Sequence, residues 1–194
     1  MEDTLGNLNN MRAFIAVDVS NTLAIEKLQH ELVADGGWTP GQIRPVKNQN
    51  LHFTLIFLGN IRLEIIEEIK IKISEIQFEP IKIMFTGIGG FPHPNFARVV
   101  WVGVDENGNQ RLVSLAEQVV IKLSEIGFTP DKPFTPHLTV FRVKGGSLKI
   151  RKEILDKYGK KDYTSDIIDK VHLKRSDLTP SGPIYTNIFT VHAR

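Results

Sequence analysis

The chain has 194 residues and no cysteine. That excludes disulfides, thiolate nucleophiles and thiolate-bound metals, and it suits a reducing, cytoplasmic setting. No apolar run approaches the roughly 18 residues that cross a bilayer as a helix. The opening residues lack the basic, apolar and small-residue order of a secretion signal. Charge of one sign is also scarce, with a net of only +2 at pH 7. A protein that coats nucleic acid carries a stronger basic bias, so any such contact here is local. A glycine-rich phosphate loop of the P-loop type is missing, and with it any argument for ATP use. So are His-x-His and His-Glu-x-x-His, and the sequence offers no metal site.

What is present is ordinary for a globular protein: 41% hydrophobic and 24% charged residues, enough for one core or for two small lobes sharing one. Residues 1–10 are polar and read as a disordered extension, leaving 11–194 for the fold. A strand is expected over 12–19. Ser20 or Asn21 then caps a helix to about Ala34, with Leu23, Leu28 and Leu32 as its apolar side and Gly36-Gly37 as its stop. A Pro/Gly-containing connection over 38–48 holds a short strand around 43–46. A helix over 63–76 buries Ile65, Ile66, Ile69, Ile73 and Ile76. Strands over 78–87 and 97–104 flank a turn-rich loop over 89–95. Glu106-Asn107-Gly108 reads as a tight connection. It precedes a helix over 110–126 with Leu112, Leu115, Val119, Leu123 and Ile126 on one side. A helix over 148–158 starts at Ser147 and stops at Gly159; strands over 170–175 and 184–192 follow. Strand–helix–strand units thus occur about twice. Two small antiparallel sheets flanked by helices satisfy the pattern.

Within this plan one motif recurs. Asn50-Leu51-His52-Phe53-Thr54-Leu55-Ile56-Phe57-Leu58-Gly59 reads as a strand stopped by Gly59-Asn60, and its alternation projects His52 and Thr54 from one face. The arrangement returns in Phe134-Thr135-Pro136-His137-Leu138-Thr139-Val140-Phe141. Six His and twelve Thr give about 0.4 His-x-Thr pairs by chance, so two in matched contexts carry information. Spacing alone fits two half-buried, locally satisfied histidines at least as well. The remaining His30, His93, His172 and His192 read as surface or structural, with His93 the one whose loop is most apt to border a cleft. Eight Lys/Arg between 142 and 161 read first as a solvated helix face and second as a path for an RNA backbone.

The two motifs, in their surroundings, resemble the 2H phosphoesterase superfamily, and within it the RNA 2′,3′-cyclic phosphodiesterase (2′-5′ RNA ligase-like) family. Met11-Arg12-Ala13-Phe14-Ile15-Ala16-Val17-Asp18, Gly89-Gly90-Phe91-Pro92 with Arg98 to Gly103, and Ser176 with Gly182-Pro183-Ile184-Tyr185 fall in that family's order. The resemblance spans about residues 11–192. It implies an α+β fold of two lobes, each a small antiparallel sheet flanked by helices, across a central cleft. It further implies that His52 is the proton donor to the leaving 3′-oxygen and His137 the proton acceptor from water, with Thr54 and Thr139 on the phosphate. The product is then a 2′-phosphate. Arg142 and Arg98 are family-marked candidates for substrate binding. Strand parity sets Arg142 on the face opposite His137 and Thr139 unless a bulge intervenes. The implied enzyme is a cytoplasmic monomer off the membrane, without cofactor or metal, acting on RNA ends or nucleotides that carry a 2′,3′-cyclic phosphate. Two other readings stand beside it: a 2′-5′ RNA ligase or 2′,5′-phosphodiesterase in the same cleft, and an RNA-binding module whose hydrolysis is incidental.

Overall fold

The computed structural model describes residues 9–180 and 182–194. The expected extension over 1–10 therefore lies almost wholly outside the described residues. In chain order the elements are β1 (Asn10–Asp18), α1 (Thr22–Gly36), β2 (Ile43–Pro45), β3 (His52–Arg62), α2 (Ile66–Ser74), β4 (Ile81–Phe91), β5 (Val99–Val104), α3 (Glu106–Ser124), β6 (Leu138–Val143), α4 (Lys152–Tyr158), β7 (Asp162–Ile168), β8 (Lys170–Thr179) and β9 (Gly182–His192). They form two antiparallel sheets, ordered β3-β1-β8-β9 and β2-β6-β5-β4-β7. Helix α1 packs on β6, β7 and α4, whereas α2 packs on α3, and α3 on β3 and β4. One apolar core runs between the sheets. Phe53 of β3 and Phe85 of β4 stack within it at 6.1 Å, nearly coplanar, so each sheet donates a ring to the join.

Apolar spacing explains most of these elements. In α1, Ile25, Leu28 and Leu32 recur at helical intervals and are buried. Leu23 was expected to join them and is 76% exposed. At roughly 100° per residue it stands about 200° from Ile25, on the far side of the helix. The helix ends at Gly37, whose φ of 64° only glycine adopts cheaply. Asn21 occupies the N-cap position without capping: its side-chain amide donates to Thr164 Oγ1, while Asp166 accepts from the backbone N–H groups of Ser20 and Asn21.

Elsewhere tertiary partners override local signals. Gly59-Asn60 does not stop β3, because β1 continues alongside and pairs Asn10 with Arg62. Gly89 and Gly90 are strand, not loop; a Cβ on Gly89 would strike the Trp101 indole, and one on Gly90 would lie 2.7 Å from Ala97 Cβ. Glu106-Asn107-Gly108 is the first turn of α3. Residues 148–151 are extended rather than helical: Leu148 and Ile150 are buried, Lys149 and Arg151 exposed, and Leu148 bridges to Ala97. Strand β7 has no counterpart among the expected elements.

Both motif strands carry a bulge immediately after the motif threonine. In β6, Thr139 pairs with Trp101 and Phe141 with Val100, so Val140 is an extra residue. In β3, Thr54 pairs with Ala16 and Ile56 with Ile15, so Leu55 is the extra one. Two successive side chains then turn inward in each strand, Val140 with Phe141 and Leu55 with Ile56. The next residue returns to the face of the threonine: Arg142 in β6, Phe57 in β3. The β6 bulge is held from the end of β2 and from α1. The Val140 carbonyl accepts from Val46 N (2.9 Å) and from Nε2 of the buried Gln29 of α1 (2.8 Å), and the same amide donates to Val46 O (2.9 Å). Replacing Gln29 by Met removes both donors from buried carbonyls at nearly constant volume. The expected cost is about 1–3 kcal/mol, seen as a lower urea midpoint with unchanged slope.

Candidate active site

The two histidines are presented in the same way by different sheets. His52 opens β3, and its Nδ1 lies 2.7 Å from the carbonyl of Asn50. His137 stands one residue before β6, and its Nδ1 lies 2.7 Å from the carbonyl of Thr135. A carbonyl only accepts, so Nδ1 carries the proton in both rings and Nε2 is left with its lone pair. Among the described residues neither Nε2 has a hydrogen-bond partner. Each ring is also fixed by aromatic edges: His52 by Phe14 (5.1 Å) and Tyr185 (5.2 Å, perpendicular), His137 by Phe91 (4.8 Å, perpendicular).

The sheets meet at these strands, β3 beside β6. His52, Thr54 and Phe57 share a face with Phe14, Ala16 and Asp18 of β1, since Asp18 pairs with His52 and Ala16 with Thr54. Thr139 and Arg142 share a face of the other sheet because of the Val140 bulge. Arg142 is close enough to act on both imidazoles, and its positive charge lowers the pKa of each. Burial is the larger cause in both cases. It takes His52 down to about 4 and holds His137 below the usual histidine value. Arg98 is exposed and lies in a bend just before β5, outside the strand register that sets Arg142 opposite Val99. The bulge brings Arg142 onto the face of Thr139.

Sequence reasoning missed a charged group beside His52. Lys174 of β8 is only 3% exposed, a burial that a lysine tolerates when paired. Its Nζ lies 2.8 Å from each carboxylate oxygen of Asp18. The buried His172 completes the group, with Nε2 3.6 Å from Asp18 and Nδ1 2.9 Å from Thr190 Oγ1. Lys174 lowers the His52 pKa and Asp18 raises it. Nothing local in the sequence marks these residues; their link is the β1–β8 pairing, in which Lys174 lies across from Phe14 and its side chain reaches along β1 to Asp18. Phe57 was also missed, although its place three residues after the motif threonine matches that of Arg142. Among the described residues no three His, Asp or Glu side chains converge as a metal site would need, and no helix is long and apolar enough to cross a membrane. Of the basic run, Lys157 pairs with Asp35, Lys161 with Glu31, and Arg151 donates to the Asp35 carbonyl. Three of the eight thus tie α4 and its flanking residues to α1.

The folded chain keeps His52 neutral down to about pH 4, whereas an unfolded histidine takes its proton near 6.5. The unfolded state therefore binds more protons in this window, and stability falls as pH drops through it. The loss attributable to His52 is at most about 2 kcal/mol at pH 5. Urea midpoints at pH 7 and pH 5 measure it, and His52→Phe is expected to flatten the difference.

Comparison with known proteins adds to this geometry. Residues 24–192 match the AKAP7 2'5' RNA ligase-like domain. The chain is 40% identical over 180 residues to the RNA 2',3'-cyclic phosphodiesterase of Archaeoglobus fulgidus, covering 92% of this chain and 98% of that protein. It is 36% identical over 185 residues to the protein of the same name from Aquifex aeolicus, covering 91% and 94%. Its fold superposes on Escherichia coli LigT complexed with 3'-AMP with a TM-score of 0.75 at 23% identity, over 95% and 98% of the two chains. TT0787 of Thermus thermophilus gives 0.75 at 25% identity, over 94% and 97%. With a match that spans most of its length and relatives aligned nearly end to end, the chain belongs to the AKAP7 2'5' RNA ligase-like domain family of 2H phosphoesterases.

Proposed function

We propose that the protein is an RNA 2′,3′-cyclic phosphodiesterase that hydrolyses the cyclic phosphate of RNA ends or small nucleotides to a 2′-phosphate. The observation that carries this reading is the matched presentation of His52 and His137: one from each sheet, each locked through Nδ1, each with an Nε2 that has no hydrogen-bond partner among the described residues. Relatives of up to 40% identity bearing that name support it. The absence of cysteine supports a cytoplasmic setting.

Hydrolysis of the strained diester needs water deprotonated on one side of phosphorus and the leaving oxygen protonated on the other. In this reading His137 Nε2 takes the proton of water as its oxygen bonds to phosphorus. The P–O3′ bond breaks, and His52 gives its proton to the departing oxygen. The less desolvated ring is the better placed to meet water, which favours His137 as the base. Burial makes His52 a strong acid that is seldom protonated in the free protein. The bound phosphate anion supplies the nearby negative charge that favours the imidazolium. Thr54 and Thr139 donate to the non-bridging oxygens, where charge gathers in the transition state, and Arg142 adds a cation to the same region. None of these steps draws on a metal.

Hydrolysis of 2′,3′-cyclic AMP in EDTA tests the reading. His52→Ala and His137→Ala are each expected to lower kcat roughly 10²–10⁴-fold, and Thr54→Val up to about 10²-fold, with adenosine 2′-phosphate as the product. Activity indifferent to either histidine ends the acid–base mechanism; a 3′-phosphate product reverses the assigned leaving oxygen.

The pH profile follows from the two histidines. kcat/KM reports the free enzyme, in which His52 titrates near 4 and His137 below 6.5. Activity requires the first protonated and the second neutral. The profile of kcat/KM is therefore expected to peak below pH 6.5 and fall through neutrality, while kcat peaks at higher pH because the bound anion raises both values. Arg142→Met removes a cation that depresses both rings and is expected to move the kcat/KM peak upward.

A further inference from the structure

Arg142 has a second arginine directly opposite it. Arg44 of β2 is its cross-strand partner, and both side chains are exposed on the same face of the sheet. Like charges in direct register repel. Among the described residues neither guanidinium has a carboxylate or a hydrogen-bond acceptor to offset this. The pair is therefore arranged as a site for an anion that the folded chain does not itself supply.

Its location says which anion. Arg142 acts on both motif histidines, so one end of the pair borders the reacting phosphate. The other end reaches toward the opposite sheet: a Cβ on Gly182, at the start of β9, would lie 3.8 Å from Arg44 Nη1. The next residue, Pro183, accepts through its carbonyl from Asn50 Nδ2, and the Asn50 carbonyl holds His52. Arg44 thus sits at the edge of the cleft on the side of His52, which in the proposed mechanism faces the sugar oxygen that leaves. The group of an RNA end that carries a further negative charge on that sugar is its 5′-phosphate, the first internal phosphodiester of the chain. A cyclic mononucleotide without a 5′-phosphate has nothing to place there.

We infer that Arg44 and Arg142 form a second phosphate subsite, for the 5′-phosphate of the nucleotide whose cyclic phosphate is opened. The inference rests on the phosphodiesterase reading and makes the preferred substrate an RNA end or a 5′-phosphorylated nucleotide rather than a simple cyclic nucleoside monophosphate.

The test compares adenosine 2′,3′-cyclic phosphate with its 5′-phosphorylated form, which differ by that one group. The wild-type chain is expected to prefer the 5′-phosphorylated substrate about five- to tenfold in kcat/KM, and Arg44→Met to bring the ratio close to one. Calorimetry needs no turnover: adenosine 2′,5′-bisphosphate is expected to bind more tightly than adenosine 2′-monophosphate to wild type, with the advantage lost in Arg44→Met. Added salt is expected to weaken bisphosphate binding less in that variant than in wild type. Equal binding of the two ligands by wild type, or a preference that survives Arg44→Met, overturns the subsite. Wild type that hydrolyses neither substrate defeats the phosphodiesterase reading instead, and the calorimetric comparison still decides the subsite.

Discussion

A β-strand shows alternate side chains to one face, and that constraint governs this molecule. A histidine and a threonine two positions apart share a face without help, but a residue three beyond the threonine does not. The structure meets this by inserting Val140 into β6 and Leu55 into β3, each directly after its threonine. Without the first bulge Arg142 would point into the core. Without the second, Phe57 would leave the face it shares with His52. The irregularity is thus a condition for the site, and the molecule invests a buried glutamine of α1 in keeping it.

Electrostatics follow from the same placement. Two imidazoles packed against aromatic rings lose water, and a cation brought round by the bulge depresses them further. A free protein with both rings neutral has little to hold a proton for a leaving group. The arriving phosphate changes that, since its charge favours the protonated form. In the proposed mechanism the catalytic acid is therefore formed only as the anionic substrate binds, and a neutral competitor does not bring it about. The Asp18–Lys174 pair beside His52 is close to electrically balanced, so it fills the sheet face without deciding the charge of the ring by itself.

Much of this was legible in the residues. Isoleucine spacing identified α2, Leu112 to Leu123 identified α3, and alternation around His52 and His137 set each histidine with its threonine. The arginine problem was legible too, as a parity conflict that a bulge resolves. What was not legible depended on distant partners. Gly89 and Gly90 look like loop residues until Trp101 and Ala97 occupy the space a Cβ would need. Residues 148–151 look helical until Ala97 offers an extended partner. Arg44 and Arg142 become neighbours only through strand register, and Lys174 reaches Asp18 only because β8 pairs with β1; no local pattern encodes either. Helical faces are local quantities; cross-strand neighbours are not.

The chain passes between the two sheets four times, after β1, β2, β3 and β7. The four-stranded sheet takes β1 and β3 from the front of the described chain and β8 and β9 from its end. Such long-range pairing carries a large loop-closure cost during folding. A nascent chain that has displayed both histidines still lacks the strands that complete the sheet under His52. The sheet that carries His52 is therefore complete only once strands from both ends of the described chain have paired. Nor does a single cut release one lobe with its own histidine intact, because each sheet is sewn from non-adjacent segments. The two sheets are thus laced together by one backbone, and the path from His52 to His137 runs through that shared stitching.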